Sequence, residues 1–341
     1  DGYLHYYLSG TADPHLTASP MKNLIEAKIE LAAELIADGG EASASEEFFR
    51  SPSFLAAEDV THTLRVGKEL ALPVVVREIP GGDGRDASSP YGYPGGSSTP
   101  AIDPAAVDWS QTGLVSVFVR DRVGEGVCFT GGTVRTHVQI ADPALPRKSR
   151  MSDRQQVRRN LRDGWRVETI PGPDVDASQR AAFERAYRQT MERTKAAARY
   201  FFDSDYFAAA IGAERAWLLL ARAPEGEIAA GSIAALSDGY LHYYLSGTAD
   251  PHLTASPMKN LIEAKIELAA ELGVPLSLGG GARPGDSLEA FKRGFANREE
   301  PFHSHEIVCD AAQYQELSEE LSRSAPESDF FPRYRAAATT G

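Results

Sequence analysis

The 341-residue sequence has few of the features that mark several large protein classes. It holds two cysteines, Cys128 and Cys309, which are too few for a disulfide scaffold, so we expect buried thiols in a reducing cytoplasm. The most hydrophobic stretch, 216–221, has the length of a strand, whereas a membrane-spanning helix needs about 20 apolar residues. We therefore expect no membrane span, and the first residues show no signal-peptide pattern.

Basic residues are also in deficit, with 35 lysines and arginines against 48 acids and a net charge of −13. A protein this acidic is not expected to bind nucleic acid over its whole surface, although the negative net charge is compatible with one local basic face. The hydrophobic fraction of 42% and the aromatic fraction of 9% are ordinary for a folded protein, which excludes disorder as the overall class. The length suggests two domains.

One segment occurs twice, because residues 1–35 and 238–272 are identical. Solenoid repeats diverge and come in threes or more, so we interpret this pair as a recent duplication or an artefact of sequence assembly. Strands predicted over 216–236 offer neighbours to the second copy only. We therefore expect 238–272 at the centre of the fold. Residues 1–35 should be poorly ordered, peripheral or swapped onto another subunit, in a monomer or a swapped dimer.

The first half of the chain predicts short strands around one long loop. β-Branched residues predict strands over 61–66, 70–79, 115–119 and 135–140, with a short helix starting near Ser53. Residues 80–100, rich in glycine and proline, predict a loop, and loops of this length in compact domains are often functional.

The composition changes after Pro146, where residues 147–166 carry a net charge of +6. Ser152 and Gln155 predict a capping box for a basic helix over 152–163, and Gly164 predicts its end. The order that follows is α+β rather than strict βαβ alternation, which argues against a Rossmann domain. The pattern predicts a strand over 165–170, helices over 178–195 and 203–211, a three-stranded meander over 216–245, a helix over 257–272 capped by Ser256, a strand over 275–278, a helix over 286–293 capped by Asp286, a strand over 306–308 and a helix over 311–321.

A run of residues late in the chain carries a family resemblance. Leu278-Gly279-Gly280-Gly281 is followed by Asp286-Ser287-Leu288 and by Phe291-Lys292-Arg293-Gly294-Phe295. This signature resembles that of the FemABX-type transferases, which belong to the GNAT acyltransferase superfamily. Other matching pieces follow the expected order: Phe49-Arg50-Ser51-Pro52, Pro90-Tyr91-Gly92-Tyr93, the basic helix, Tyr200-Phe201-Phe202, Ala230-Gly231-Ser232 and the segment 243–247.

The resemblance implies an α+β fold of tandem GNAT-like subdomains, with mixed central sheets flanked by helices and the transfer cleft in the second. We expect the duplicated segment and a linker over 1–42, the first subdomain over 43–148, the second over 149–325 and a tail over 326–341. It implies an N-acyltransferase that forms an amide bond and needs no cofactor. The donor would be aminoacyl-tRNA, and the acceptor an amine of a peptide, a cell-wall precursor or a natural product.

Two observations bear on the donor. The pyrophosphate loop usual in GNAT enzymes, Arg/Gln-x-x-Gly-x-Gly/Ala, is not evident, which favours aminoacyl-tRNA over acyl-CoA. The basic helix offers phosphate contacts, and the alternative for it is a solvated face paired with acids elsewhere. An acyl-CoA-dependent N-acetyltransferase and a non-catalytic binding module remain the alternative functions. The candidate tRNA contacts are Arg154, Arg158, Arg159 and Arg162.

Phe291 and Lys292 are the candidate catalytic pair, because the matching residues of the family are thought to position the acceptor and stabilise developing charge. A lysine in a cleft offsets the negative charge of a tetrahedral intermediate, and Arg293 could do the same or bind substrate. The alternative is a solvated helix face for the two basic residues, with Phe291 and Phe295 in the core.

Four aromatic residues are candidates for binding the acceptor. His242 and Tyr244 share one face of the last meander strand, opposite Tyr243, and half-buried packing is the alternative for them. Tyr91 and Tyr93 lie in the long loop, where simple loop packing is the alternative.

Two further patterns have less distinct interpretations. The glycines at 279–281 predict either close approach of a ligand to the backbone or a simple turn. His303 and His305 share a strand face, but no third ligand follows at zinc spacing, so we expect no metal site.

Overall fold

Most of the predicted strands join one sheet. The computed structural model describes residues 31–96, 100–124, 126–281, 285–321 and 330–339. Within these residues a 13-stranded mixed sheet runs in the spatial order β5-β1-β2-β3-β4-β6-β13-β7-β12-β11-β10-β9-β8. The strands are β1 (Leu31–Ile36), β2 (His62–Val66), β3 (Leu70–Glu78), β4 (Arg85–Ser88), β5 (Val107–Asp108), β6 (Leu114–Arg120), β7 (Thr133–Ala141), β8 (Arg166–Pro171), β9 (Ala216–Arg222), β10 (Ile228–Ser237), β11 (Tyr240–Thr248), β12 (Leu276–Gly279) and β13 (Arg298–Val308).

The helices flank this sheet. In the described part of the chain, no helix combines the length and apolarity needed to cross a membrane. Short 3-10 helices include Phe48–Arg50, Ala198–Tyr200 and Asp250–Ala255. The α-helices are α1 (Pro52–Ala57), α2 (Met151–Arg162), α3 (Ala177–Arg193), α4 (Ser204–Ile211), α5 (Met258–Leu272), α6 (Ser287–Arg293) and α7 (Ala311–Leu321).

The second half of the sheet is covered on both faces, which explains the uninterrupted apolar run of β9. Leu218 and Leu220 pack with α3 and α4 on one face, whereas Leu219 packs with α5 on the other. Strands buried on both faces read as continuous rather than alternating hydrophobic segments. Gly247 lets α3 approach closely, because a Cβ there would lie 2.4 Å from the Tyr187 Cα.

β13 joins the two halves of the sheet. It pairs antiparallel with β6 on one side and with β7 on the other. The strand predicted with its core at 306–308 begins earlier than its pattern shows, at Arg298, because Pro301 and the charged residues 298–300 conceal its first part. The predicted subdomain boundaries stay predictions, but the two halves share one sheet.

Other elements agree with the predictions to within a few residues, and the differences lie in caps and short strands. β1, β4 and β5 were not predicted. The caps predicted at Ser152 and Ser256 were wrong: Arg150 and Pro257 precede the first turns, and neither makes a side-chain cap bond. Ser256 instead adopts a left-handed turn with φ of 51°.

The two copies of the repeated segment have different positions. As predicted, 238–272 is central and forms β11 and α5. Residues 1–30 lie outside the described part of the chain. The pentapeptide Leu-Ala-Ala-Glu-Leu is strand at 31–35 and helix at 268–272. At 31–35 it pairs with β2, so neighbours in the fold decide between two states of one sequence.

Candidate functional site

The gap between β11 and β12, beyond the point where they stop pairing, is called the cleft. These parallel strands pair at Leu241 with Leu276 and at His242 with Ser277 only. β12 ends at Gly279 while β11 continues to Thr248, so the strands diverge beyond the pairing. Tyr243 and Lys292 meet at this opening, where the Lys292 Nζ lies 5.6 Å from the centre of the Tyr243 ring.

Lys292 is placed in the cleft by α6. Asp286 caps this helix as predicted, because its carboxylate accepts the Glu289 N–H at 2.7 Å. The Lys292 side chain is held inward, with its residue 8% exposed and its Nζ donating to the Gly280 carbonyl at 2.6 Å. Burial lowers the pKa of Lys292 to about 8, although the charge of Asp286 opposes this. At neutral pH the amine is therefore mostly charged and is available as a donor.

The residues on either side of Lys292 have different environments. Phe291 packs against Phe295, with ring centres 5.6 Å apart, and belongs to the core around α5. The Arg293 side chain is 53% exposed and pairs with Glu289 one turn back. Both therefore fit the packing alternative, and only Lys292 of this run lies in the cleft.

Tyr93 brings a hydroxyl from the first half of the chain to the same place. Its ring stacks on His242 at 5.0 Å and meets Phe302 edge-on at 5.1 Å. A Cβ at Gly279 would lie 2.9 Å from the Tyr93 Oη and 3.3 Å from the Lys292 Nζ. Gly279 also has φ of 72°, so the site requires glycine. At Gly279 the close approach is made by these two side chains, and the predicted approach of a ligand to the glycine run stays a prediction.

The loop that carries Tyr91 and Tyr93 is fastened by a buried arginine. The Arg50 guanidinium donates to the Pro94 carbonyl at 2.7 Å and to both oxygens of Asp238, at 3.0 and 2.8 Å. Arg122 contacts the same carboxylate at 3.4 Å. Burial would raise the pKa of Asp238, but the bonds and charge of Arg50 outweigh it and the pKa is lowered.

His242 and Tyr244 lie behind the cleft rather than in it. They face away from Tyr243, as the alternation predicted, and are 1% and 9% exposed. His242 supports the Tyr93 ring, and Tyr244 lies 5.9 Å from the Tyr91 ring. Burial lowers the pKa of His242 to about 4, so it is neutral. Any influence of these two residues on a ligand passes through the two loop tyrosines.

A second polar cluster lies beside Tyr91 and was missed. The Glu58 carboxylate accepts hydrogen bonds from the Tyr206 hydroxyl at 2.6 Å and from the Tyr91 N–H at 2.8 Å. Burial raises the pKa of Glu58. Arg120 adds charge nearby and donates to the Ser89 carbonyl at 3.1 Å. Glu58, Arg120 and Tyr206 are far apart in the sequence, so no local pattern predicts that they lie together.

Lys265 was also missed, although its position in α5 gives a signal. It lies four residues after Leu261 in the apolar stripe of the helix, and it is fully buried. Its Nζ donates to the Ser232 hydroxyl and to the Ile233 carbonyl, and lies 4.1 Å from the centre of the Tyr243 ring. Burial, and then the charge of Lys292, hold its pKa well below the usual range. A lysine in an apolar stripe should itself have indicated a special environment.

The basic helix α2 is a solvated stripe beside the cleft. Asn160 faces inward and donates to Asn260 at 2.7 Å, which fixes α2 against the start of α5. The Arg150 guanidinium donates to the Ala290 carbonyl of α6 at 2.9 Å. In the part of the chain that the structure describes, no ion pair involves the four arginines that form the stripe, all of which are exposed: Arg154, Arg158, Arg159 and Arg162.

The remaining candidates belong to the first half of the sheet. His305 is bonded to Asp121 at 2.8 Å, with both side chains buried. Cys128 is a buried free thiol, as predicted, and burial raises its pKa. Cys309 is free and partly buried. These contacts support packing for all three.

Comparison with known proteins identifies this architecture. Residues 147–293 match the family model of the acetyltransferase (GNAT) domain. This segment is similar to GNAT domains. No curated protein gives a significant match to the sequence.

Three solved structures share the fold. FemX is 13% identical, with a TM-score of 0.54 over 74% of this chain and 89% of FemX. L-PGS from Bacillus licheniformis is 14% identical, with a TM-score of 0.51 over 71% of this chain and 82% of that one. The C-terminal domain (DUF2156) of a putative lysylphosphatidylglycerol synthetase from Agrobacterium fabrum is 14% identical, with a TM-score of 0.54 over 82% of this chain and 95% of that domain.

These likenesses extend over both halves of the sheet. The predicted resemblance to FemABX-like GNAT proteins is confirmed for the fold, and so is the predicted fold class of mixed sheets flanked by helices. The general class that the fold supports is N-acyltransferase.

Proposed function

We propose that the chain transfers an aminoacyl group from aminoacyl-tRNA to an amine. The observation that carries the donor is the arginine stripe of α2, which is exposed and makes no ion pair with the described residues, and which starts beside the helix that presents Lys292. A 12-residue helix is about 18 Å long, enough to follow several phosphates of a nucleic-acid backbone while its acylated end enters the cleft.

The turn before α5 supports this donor over acyl-CoA. A pyrophosphate binds at a helix N-terminus through free backbone N–H groups. Here the N–H groups of Lys259 and Asn260 already bond to the carbonyls of Ser256 and Pro257. Pro257, like Pro251 before it, has no N–H to offer. Acyl-CoA remains the second candidate, because the matching family model is that of an acetyltransferase domain.

The cleft residues take the following roles. The acceptor amine attacks the ester carbonyl, and the Lys292 ammonium stabilises the developing negative charge. Arg293, at the exposed end of α6, binds substrate, whereas Phe291 supports Lys292 from the core by packing against Phe295. Tyr91 with Glu58 forms the acceptor side, with His242 and Tyr244 supporting the tyrosines.

The test is transfer of a labelled amino acid from charged tRNA to a panel of amines, with acetyl-CoA as the competing donor. We expect transfer that RNase abolishes. Transfer that survives RNase contradicts the tRNA donor, and transfer from acetyl-CoA alone establishes the second candidate. No transfer from either donor, with all the amines, contradicts catalysis.

A charge-reversal pair tests the stripe. Arg158→Glu with Arg162→Glu should raise the KM for tRNA at least tenfold and leave kcat unchanged. The plot of the logarithm of the tRNA binding constant against the logarithm of the salt concentration should also become less steep, by roughly 1.8, since each lost phosphate contact removes about 0.9 from the slope. The matched control is Arg185→Glu with Arg188→Glu on α3, which makes the same charge change on another exposed face. Equal effects from both pairs would contradict a specific contact.

A further inference from the structure

The Tyr93 side chain is held in place by the rings around it. Three rings surround the Tyr93 ring: His242 at 5.0 Å, Phe302 at 5.1 Å and Phe49 at 5.6 Å. Its hydroxyl has no hydrogen-bond partner among the residues that the structure describes. A fixed ring with such a donor at its tip is preorganised to bind a ligand.

The hydroxyl converges with Lys292 on one small space. The distances of 2.9 Å and 3.3 Å from a Gly279 Cβ to the two donor atoms place both donors around that point. Lys292 uses one N–H on the Gly280 carbonyl, which leaves two others. Gly279 has no side chain, so the space beside its Cα stays open.

We propose that Tyr93 and Lys292 form a two-donor site for the oxyanion of the tetrahedral intermediate. The proposal rests on the proposed function only where it takes aminoacyl-tRNA as the acyl donor. The oxyanion itself does not depend on the donor, because any acyl transfer to an amine passes through such an anion. Tyr93 thereby becomes a catalytic residue from the first half of the chain, and the site is incomplete without both halves.

The step balances as follows. The amine nitrogen forms a bond to the ester carbonyl carbon, and the π electrons of the carbonyl move to its oxygen, which the Tyr93 O–H and a Lys292 N–H then bind. Collapse restores the carbonyl and breaks the bond to the ribose oxygen. That oxygen leaves with the electron pair and gains the proton that the amine nitrogen loses.

The protonation states suit two donors. Burial raises the pKa of Tyr93 to about 12, so the hydroxyl keeps its proton throughout the range in which an enzyme works. Lys292, with a pKa of about 8, is charged at neutral pH. Tyr243, Lys265 and Asp286 are the other titratable groups around Lys292, and only Asp286 favours its charge.

The first experiment compares two tyrosine hydroxyls. Tyr93→Phe should lower kcat by roughly 100-fold with KM within twofold, as for loss of one oxyanion donor. Its stability should not change, because the hydroxyl makes no bond within the described residues. The control is Tyr240→Phe, whose hydroxyl is bonded to Glu300 at 2.9 Å. It should lose stability and keep kcat. Wild-type kcat in Tyr93→Phe overturns the proposal.

A second experiment separates this proposal from the identity of the donor. Methylphosphonate, a small tetrahedral oxyanion, should protect Lys292 from acetylation by acetic anhydride, measured by peptide mass spectrometry. Protection should fall at least fivefold in Tyr93→Phe and persist in Tyr240→Phe. If protection depends on Tyr93 while charged tRNA supports no transfer, the oxyanion site stands and the tRNA donor fails. If the wild type is inactive and methylphosphonate protects both proteins equally, or neither, the oxyanion site is overturned.

Discussion

Replacing Arg50 by methionine tests what holds the two halves together around the cleft. The guanidinium joins the Pro94 carbonyl of the tyrosine loop to Asp238 in the turn between β10 and β11. The Arg50 and Asp238 side chains are 10% and 9% exposed, so water cannot replace the lost partner. The substitution leaves a carboxylate in a buried place with Arg122 at 3.4 Å and the Ser237 hydroxyl at 3.2 Å.

Removing one member of a buried ion pair costs about 3–5 kcal/mol. Because Arg122 and Ser237 remain, we expect the lower end, about 3 kcal/mol. With a urea m-value of about 3 kcal/mol/M, this lowers the midpoint of unfolding by roughly 1 M. Arg122→Met should cost under about 1 kcal/mol, because its side chain is 22% exposed and makes the longer contact.

The assay is urea unfolding followed by tryptophan fluorescence, extended to a double-mutant cycle. Arg50→Met with Asp238→Asn removes the buried carboxylate as well and should recover at least half of the lost stability, since the charge that then loses its partner belongs to Arg122, whose side chain is 22% exposed. Asparagine also tolerates the positive φ of 49° at this position. A midpoint shift below about 0.3 M for Arg50→Met, or a double variant no more stable than the single one, would refute the reasoning.

Three further predictions follow. Because Lys292 loses its proton as the pH rises through about 8, kcat should fall as the pH rises past that value. Lys292→Arg should remove this alkaline fall from the pH profile of kcat, and the same fall in the variant contradicts the assignment of the titrating group to Lys292. The pKa of Lys265 is lower in the folded chain than in the unfolded one, so the unfolded state binds more protons and the free energy of unfolding rises with pH up to about 10. Lys265 contributes at most about 1.4 kcal/mol per pH unit to this rise. Lys265→Met should lose that contribution, and denaturation at several pH values would show a smaller dependence of stability on pH. Gly247→Ala should cost about 1–3 kcal/mol by overpacking, because its Cβ would meet the Tyr187 backbone of α3 at 2.4 Å. A loss below about 0.5 kcal/mol, measured by urea unfolding, would contradict the packing argument.

The second half of the fold was predictable because its elements carry strong periodic patterns. The amphipathic α5 and the doubly buried β9 and β10 gave clear signals, and α6 was predicted together with its cap at Asp286. The confirmed resemblance rests on this half, where the glycine run and Lys292 are adjacent in sequence. Local patterns are informative where neighbours in sequence are also neighbours in space.

The candidate site was predictable only in part, since its residues come from distant parts of the chain. Lys292 was predicted from a motif, but nothing local shows that Tyr93 meets it or that Glu58 lies beside Tyr91. The alternation along β11 placed Tyr243 correctly on the face opposite His242, yet which face borders the cleft depends on how β12 and α6 pack. Side-chain roles of this kind follow from tertiary packing rather than from propensity.

The position of β13 has a consequence for how the chain folds. Residues 298–308 fill the gap between β6 and β7, which are made more than 150 residues earlier. During synthesis the two halves of the sheet must wait for this strand with unpaired edges, and such edges favour association with other chains. Pairings this distant also close slowly, because the entropy of the long loop is lost before the contacts form. The chain is therefore most exposed to aggregation in the interval after β6 and β7 have been made and before β13 has paired with them.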